Sequence, residues 1–266
     1  RYRASAPADS GFWQVALGLP YNTHNQRLVA RADIDHEFQW RNGAESFCFY
    51  IHEFPGFDDL ITRGNGALRM QTRHNYGADY RSPAQGRFRY YIQGIAREQG
   101  FTGLTHELTF EPTWFLTDNL VFGLPLNLSD SPNWLLWTAG SQVATYYRHE
   151  FHVGLNASWY PNARHELRLK FQWVGLGAQA LQLYQLLPDG TPVAIAGLPS
   201  DFTDSTFATQ LRYRFEFKPQ SELYVVYSRG GDGSLDDRTE SLGAQFRRAR
   251  DQITSSQFFV KLRYRI

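Results

Sequence analysis

SQFFVKLRYRI, residues Ser256–Ile266, divides at every second position. Phe258, Val260, Leu262, Tyr264 and Ile266 fall on one side of an extended chain, and Phe259, Lys261, Arg263 and Arg265 on the other. Successive side chains of a strand point to opposite faces, so this is an apolar wall backed by a cationic one. A soluble sheet with one face on a core has the same pattern. What decides between them is recurrence, since the pattern returns along most of the chain and aromatics close several of its apolar runs.

Thr206–Arg229 shows it as a hairpin. Phe207, Thr209, Leu211, Tyr213, Phe215 and Phe217 share a face opposite Gln210, Arg212, Arg214 and Glu216. Lys218-Pro219-Gln220-Ser221 turns, and Leu223, Val225 and Tyr227 resume the apolar side. Phe151–Trp173 is a second hairpin, turning at Pro161–Arg164, with Arg168 and Lys170 among its polar alternates. In Arg27–Arg41, Leu28, Ala30, Ala32, Ile34, Phe38 and Trp40 oppose Arg31, Asp33, Asp35, Glu37 and Gln39. Further strands are expected near 11–20, 46–53, 67–80, 87–98, 104–115, 120–128, 133–139 and 142–148. The total is about 14 within a range of roughly 12–16, an even number that puts both termini at one end of an antiparallel transmembrane β-barrel. The short turns 161–164 and 218–221 then face the periplasm, and the long connections 54–66, 178–205 and 230–255 face outside. Within the last of these, Thr239–Gln252 has the spacing of a short helix over or in the barrel mouth.

Composition agrees. The 266 residues suffice for one such barrel, with residues 1–10 as an N-terminal segment and 11–266 as the barrel domain. Mean hydropathy is −0.47 and no run of 18 apolar residues occurs, which excludes membrane helices. Fifteen Tyr, 20 Phe and 7 Trp suit interfacial girdles. A net charge of +1 gives no reason to expect nucleic acid. Cys48 stands alone, which rules out an internal disulfide. Arg1–Ser10 has no apolar segment of the kind that directs export. An exported barrel is therefore expected either to be processed or to continue upstream of Arg1.

Four stretches together resemble a known family: Asp59–Gly66 (DLITRGNG), His165–Ala178 (HELRLKFQWVGLGA), Thr209–Asp232 (TQLRYRFEFKPQSELYVVYSRGGD) and Ser255–Ile266 (SSQFFVKLRYRI). They are similar, over roughly residues 50–266, to the C-terminal β-barrel domain of a bacterial outer-membrane family of unknown function. Its members typically carry a family 9-like carbohydrate-binding domain ahead of the barrel. The resemblance implies a bacterial outer-membrane location and a glycan-related role, and it carries over no catalytic residues. Two departures stand out. The carbohydrate-binding domain is absent from this chain, and family barrels are usually longer. Many outer-membrane chains also end in Phe where this one has Ile266, although Tyr264-Arg265-Ile266 keeps the aromatic-x-apolar spacing.

Of the chemical constellations, the charged strand faces are the strongest. Arg168, Lys170, Arg212, Arg214, Lys261, Arg263 and Arg265 are expected to line a lumen on the C-terminal side, and Asp33, Asp35 and Glu37 on the N-terminal side. Closing the barrel would bring the two walls together across water. They either tune passage of ions and polar solutes or pair into a ladder that fills the interior. Trp40, Trp114, Trp159, Trp173, Tyr213, Phe217, Tyr227 and Tyr264 are expected near strand ends at the membrane interface.

His149, His152 and His165, with Glu150 and Glu166, straddle a turn and a strand too widely for a common metal sphere. Arg229–Arg238 (RGGDGSLDDR) has calcium-loop composition, with Asp232, Asp236 and Asp237, but not EF-hand spacing. No GxSxG elbow, P-loop or dinucleotide fingerprint occurs, so neither an enzyme nor a cofactor is expected. The expectation is an outer-membrane channel or transport barrel for polar solutes, with the bilayer and a solute or glycan as partners. The alternatives are a non-conducting barrel that anchors a partner protein in an outer-membrane assembly and, less favoured, a barrel enzyme acting on lipid or glycan.

Overall fold

The computed structural model describes residues 8–23, 25–236 and 240–265; Asp237 and Ile266, singled out above, and most of the 1–10 segment lie outside them. In chain order the elements are β1 (Ala8–Gly18), β2 (Ala30–Trp40), β3 (Glu45–Phe54), β4 (Gly56–Asp58), β5 (Leu68–Met70), β6 (Arg73–Arg81), β7 (Phe88–Arg97), β8 (Thr105–Thr117) and β9 (Leu120–Gly123). They continue with β10 (Leu126–Ala139), β11 (Gln142–Asn162), β12 (His165–Leu186), β13 (Pro192–Ile195), β14 (Phe202–Lys218), β15 (Ser221–Leu235), helix α1 (Leu242–Asp251) and β16 (Ile253–Arg263). Fourteen strands form one antiparallel sheet. Its main path is β1-β2-β3-β6-β7-β8-β10-β11-β12-β14-β15-β16, with β9 and β13 as short side pieces, and β4–β5 is a separate pair. Among the described residues β1 and β16 are the two edges of that path and do not pair with each other.

The strand total agrees with expectation, but its parts differ. Segments 133–139 and 142–148 are not small strands of their own. They are the distal parts of β10 and of the 21-residue β11. The expected connection 178–205 is largely strand, because β12 continues to Leu186 and β13 pairs back onto it. The expected strand 67–80 is broken into β5 and β6.

Tight turns gather at one end, here the turn end: 41–44, 82–87, 163–164 and 219–220. Gln220 takes a positive φ of 63° in the last of these, a left-handed position uncommon outside Gly. Most long connections leave the other end, the loop end, and β1 starts and β16 finishes at the turn end, as an even meander requires. One loop-end turn, Leu187–Thr191, is pinned by Thr191. Its backbone N–H and its hydroxyl each donate to Asp189 over 3.0 Å, holding that carboxyl below its usual pKa.

Register aligns the alternation of each strand with its neighbours. Val15, Ile34, Tyr50 and Tyr76 are successive partners on one face, as are Ala157, Leu169, Leu211, Tyr227 and Phe258. The sheet therefore has one mainly apolar face, crossed towards the loop end by His106, Asp130 and His149, and one face that is charged over the turn-end part of the strands. At the loop end the apolar face is covered twice. The β4–β5 pair buries Leu68 and Met70 against Leu135, Val143 and Leu186. Arg69 N donates to Gly190 O, and Phe57 bridges to Leu28, so this small pair links the approaches to β2 and β12. Helix α1 lies on the same face of β12, β14 and β15, with Phe246 and Ala249 against Trp173, Phe207 and Phe171. Its fit depends on glycine: a Cβ on Gly231 would overlap Ala249 O, and one on Gly233 would come within 2.8 Å of Arg248 Cγ. The glycines of RGGDGSLDDR are thus strand positions, and Gly231 and Gly233 lie beneath a helix. The short helix expected within 239–252 is present as α1, Leu242–Asp251, and it docks on the apolar face.

Candidate functional site

The charged face is built by alternate residues of the strands that supply the apolar belt. On β12, β14 and β15 it forms a ladder at the turn end. Glu166 is buried between Arg168, which ion-pairs with it, and Arg214, 3.8 Å away. Arg214 also reaches Glu216 at 3.5 Å, and its Nε donates to Glu222 Oε1 over 2.8 Å. Tyr224 donates its hydroxyl to Glu222 over 2.6 Å, and Arg168 donates to the Tyr160 hydroxyl over 3.1 Å. Carboxylates and guanidiniums this close hold one another through charge-assisted bonds. A second node lies nearer the loop end. There the buried Arg148 donates to Ser129 Oγ over 2.7 Å, lies 3.5 Å from Glu150, and stacks 4.8 Å over the Trp134 ring.

Arg168, Lys170, Arg212, Arg214, Lys261 and Arg263 all share this face, by the pairings Arg168↔Arg212, Lys170↔Gln210, Arg214↔Tyr224↔Lys261 and Glu222↔Arg263. Arg265 follows the end of β16 and only its backbone is anchored, its N–H donating to Ser221 Oγ. Four of these cations, Lys170, Arg212, Lys261 and Arg263, have no ion pair among the described residues; Arg212 instead covers the Tyr224 ring at 5.3 Å. The acidic members Glu166, Glu216 and Glu222 were missed in the sequence as site residues. Each sits two positions from a cation or a tyrosine on the same strand face, which is the signal that would have found them.

Asp33, Asp35 and Glu37 lie on the charged face of β2, one strand from the opposite edge of the sheet. Asp33 pairs with Arg31. The structure does not bring this acidic trio to the basic strands, because no pairing joins β1 to β16. The expectation of facing walls is not met in the described sheet.

The aromatic expectations divide. Trp40, Trp114, Trp159, Tyr213, Phe217 and Tyr264 lie in the turn-end part of their strands. Trp40 donates to Ser46 Oγ there, and ring contacts link Phe88 to Trp114 and Phe217 to Tyr264. Trp173 is a correction. It sits mid-strand in β12, is 6% exposed under α1, and donates to Ser205 Oγ over 2.8 Å. Tyr227 is also placed differently, mid-strand between Leu211 and Phe258.

His149 and His152 point to opposite faces of β11. His165 is at the turn end, 2.6 Å from the Tyr213 hydroxyl. Cys48 lies on the apolar face of β3 between His36 and Ala78.

A family model described as a domain of unknown function, DUF5916, matches residues 59–266, and the chain belongs to that family. No curated protein matches the chain. Among solved structures, the NanC porin in a rhombohedral crystal form is similar over 96% of this chain and 97% of its own, at 10% identity and a TM-score of 0.32.

Proposed function

We propose that this DUF5916 chain is an outer-membrane β-barrel that passes polar solutes, with its apolar face in lipid and its charged face towards a water-filled lumen. The observation that carries the reading is the bare apolar belt over the turn-end and middle parts of the strands. Ile34, Phe88, Ile92, Leu108, Leu128 and Leu211 are each 40–46% exposed, and they follow one another across the sheet on one face. Soluble monomers rarely expose a contiguous apolar patch of more than a few hundred Å², whereas a barrel wall requires one. In lipid the free backbone groups of β1 and β16 also need partners. The two strands run in opposite directions, so they are suited to antiparallel closure.

The ladder makes the turn-end lumen wall on β12–β16 a braced surface with surplus positive charge: six strand cations stand against Glu166, Glu216 and Glu222, and Asp204 and Asp232 follow on the same face nearer the loop end. Anionic and polar solutes are favoured by such a wall. The carbohydrate-binding domain implied by the family resemblance makes glycans a fitting solute class. Reconstituted in a planar bilayer, the chain should give discrete conductance with anion preference. Replacing both Arg212 and Arg263 by Glu should move that preference towards cations. A folded, inserted chain that stays silent overturns the channel. A second reading, a non-conducting anchor for a partner protein, is favoured by the two edges that are unpaired among the described residues, each a template for a partner's strand. Recovery from membranes with a stoichiometric protein partner supports it.

A further inference from the structure

We propose that a groove on the apolar face beside α1 is a binding site for one long-chain amphiphile with a neutral hydroxyl head. The open groove holds about 1080 Å³, just above the roughly 300–1,000 Å³ usual for ligand clefts. It crosses β6, β7, β8, β10, β11 and β12 between two cross-strand rows. One row runs from Tyr76 through His106 to Gly177, and the other from Ala78 through Leu108 to Phe151. Small residues make it a channel: Ala78, Gly94 and Ala96 leave the bed low between Tyr76 and Leu108. A Cβ built on Gly94 meets nothing within 4 Å, so the space above it is open. The row Ala78–Gly94–Leu108–Leu128–Phe151 matches an alkyl chain, which gains from burial along its course, while the other row carries His106, Asp130 and His149.

The far end is closed by the start of α1, at Leu242 and Gln245. Gln245 is 3% exposed; its Nε2 donates to Glu240 O over 3.2 Å, and its Oε1 has no hydrogen-bond partner. A buried acceptor left unpaired is costly, so this end calls for a donor from the occupant. A hydroxyl fits this end better than an ammonium, because the carboxylate beside it, Glu240, is already paired with Arg248 and the amide oxygen by itself would not offset burial of a full charge. Asp130, with His149 Nδ1 3.4 Å away, offers further polar contact along the same row. The groove stands on its own geometry; only the supply of its ligand from a bilayer rests on the membrane placement proposed above.

The test uses the full chain in lipid nanodiscs with a photoactivatable hexadecanol, and its methyl ether as the probe lacking a donor. Adducts are mapped by peptide mass spectrometry. The alcohol should label the peptides carrying Gly94–Ala96, Leu108 and Leu242 above the general belt, and the ether should label the belt alone. Gly94→Leu, whose Cβ meets nothing within 4 Å, should abolish the groove adducts while labelling around Val260 is unchanged. Gln245→Leu should lower alcohol adducts about tenfold, the loss of one hydrogen bond in a buried setting. Groove adducts unaffected by Gly94→Leu, or equal for alcohol and ether, overturn the site. Absence of belt labelling, with groove adducts retained, overturns the membrane placement instead. Extraction of the chain isolated from cells then separates the sources: a bound glycerolipid with a neutral hydroxyl head or a bound free alcohol each supports the site, and a charged lipid, or neither at stoichiometric level, counts against it.

Discussion

The turn-end and loop-end halves of this sheet share strands and register but treat the apolar face oppositely. At the turn end the face is bare, alternation is strict, and aromatics such as Trp114 and Trp159 close it. At the loop end the same face is floored with Gly175, Gly231 and Gly233 and carries a helix, or is capped by Leu68 and Met70. Large apolar side chains mark the stretch left for a fluid apolar solvent, and glycine marks the stretch where protein lands on protein.

The largest effect that can break this contrast comes from the bare half. Leu211→Arg places a charge mid-strand on the belt and should destabilise the inserted chain by about 2–4 kcal/mol, the cost of a lipid-facing Arg near the bilayer midplane. Gln210→Arg, on the charged face, should cost far less. Urea titration in lipid vesicles reads both, and the reverse order would exchange the two faces.

A smaller effect is expected under the helix. Gly231→Val drives a side chain into the backbone of Ala249 and Gln252. Overpacking of this kind costs about 1–3 kcal/mol where the neighbours cannot yield. Here the helix can lift, so the visible result should be protease cleavage within Leu242–Asp251 and a red shift of Trp173 emission. Intact α1 with unchanged emission would show that the glycines are not what seats it.

The charged face gives a third comparison. Glu166→Gln leaves Arg168 and Arg214 adjacent with less compensation and should cost about 1 kcal/mol, as a partly solvated pair does. It should also strengthen anion preference, read as a shift in reversal potential under a salt gradient. Glu216→Gln, at a more exposed site with one longer contact, should do less.

How much of this was legible follows the same division. The faces of β2, β14 and β16 could be read residue by residue, because a bare belt imposes strict alternation. The distal part of β12, VGLGAQALQLYQL over 174–186, could not. Its apolar face meets α1, its other face packs Ala178 and Ala180 against Tyr146 and Phe202, and small residues on both sides erase the period. The glycines of β15 read as a loop for the same reason. On the charged face the cations were visible and their partners were not, since Arg214–Glu222 joins two strands and depends on register. Trp173 was misplaced because an aromatic beside a lost period looks like a strand end, when it is the anchor for a helix.

The smallest effect is the one that separates docking from helix formation. Ser241 caps α1, but its Oγ lies 3.4 Å from Ala244 N, while its backbone O already accepts from Ala244 N at 2.9 Å and from Gln245 N at 3.0 Å. A side-chain bond that long is weak, so Ser241→Ala should sit at the lower end of capping costs, about 0.5 kcal/mol. A helix of 10 residues has little stability of its own, so α1 is held mainly by Phe246 and Ala249 against Trp173 and Phe207. Loss of the cap should therefore leave protease resistance over Leu242–Asp251 almost unchanged, whereas Gly231→Val should remove it. If Ser241→Ala exposed the segment as fully as Gly231→Val, the helix would depend on its own terminus, and the covered half of the apolar face would differ from the bare half for a reason other than the glycine floor.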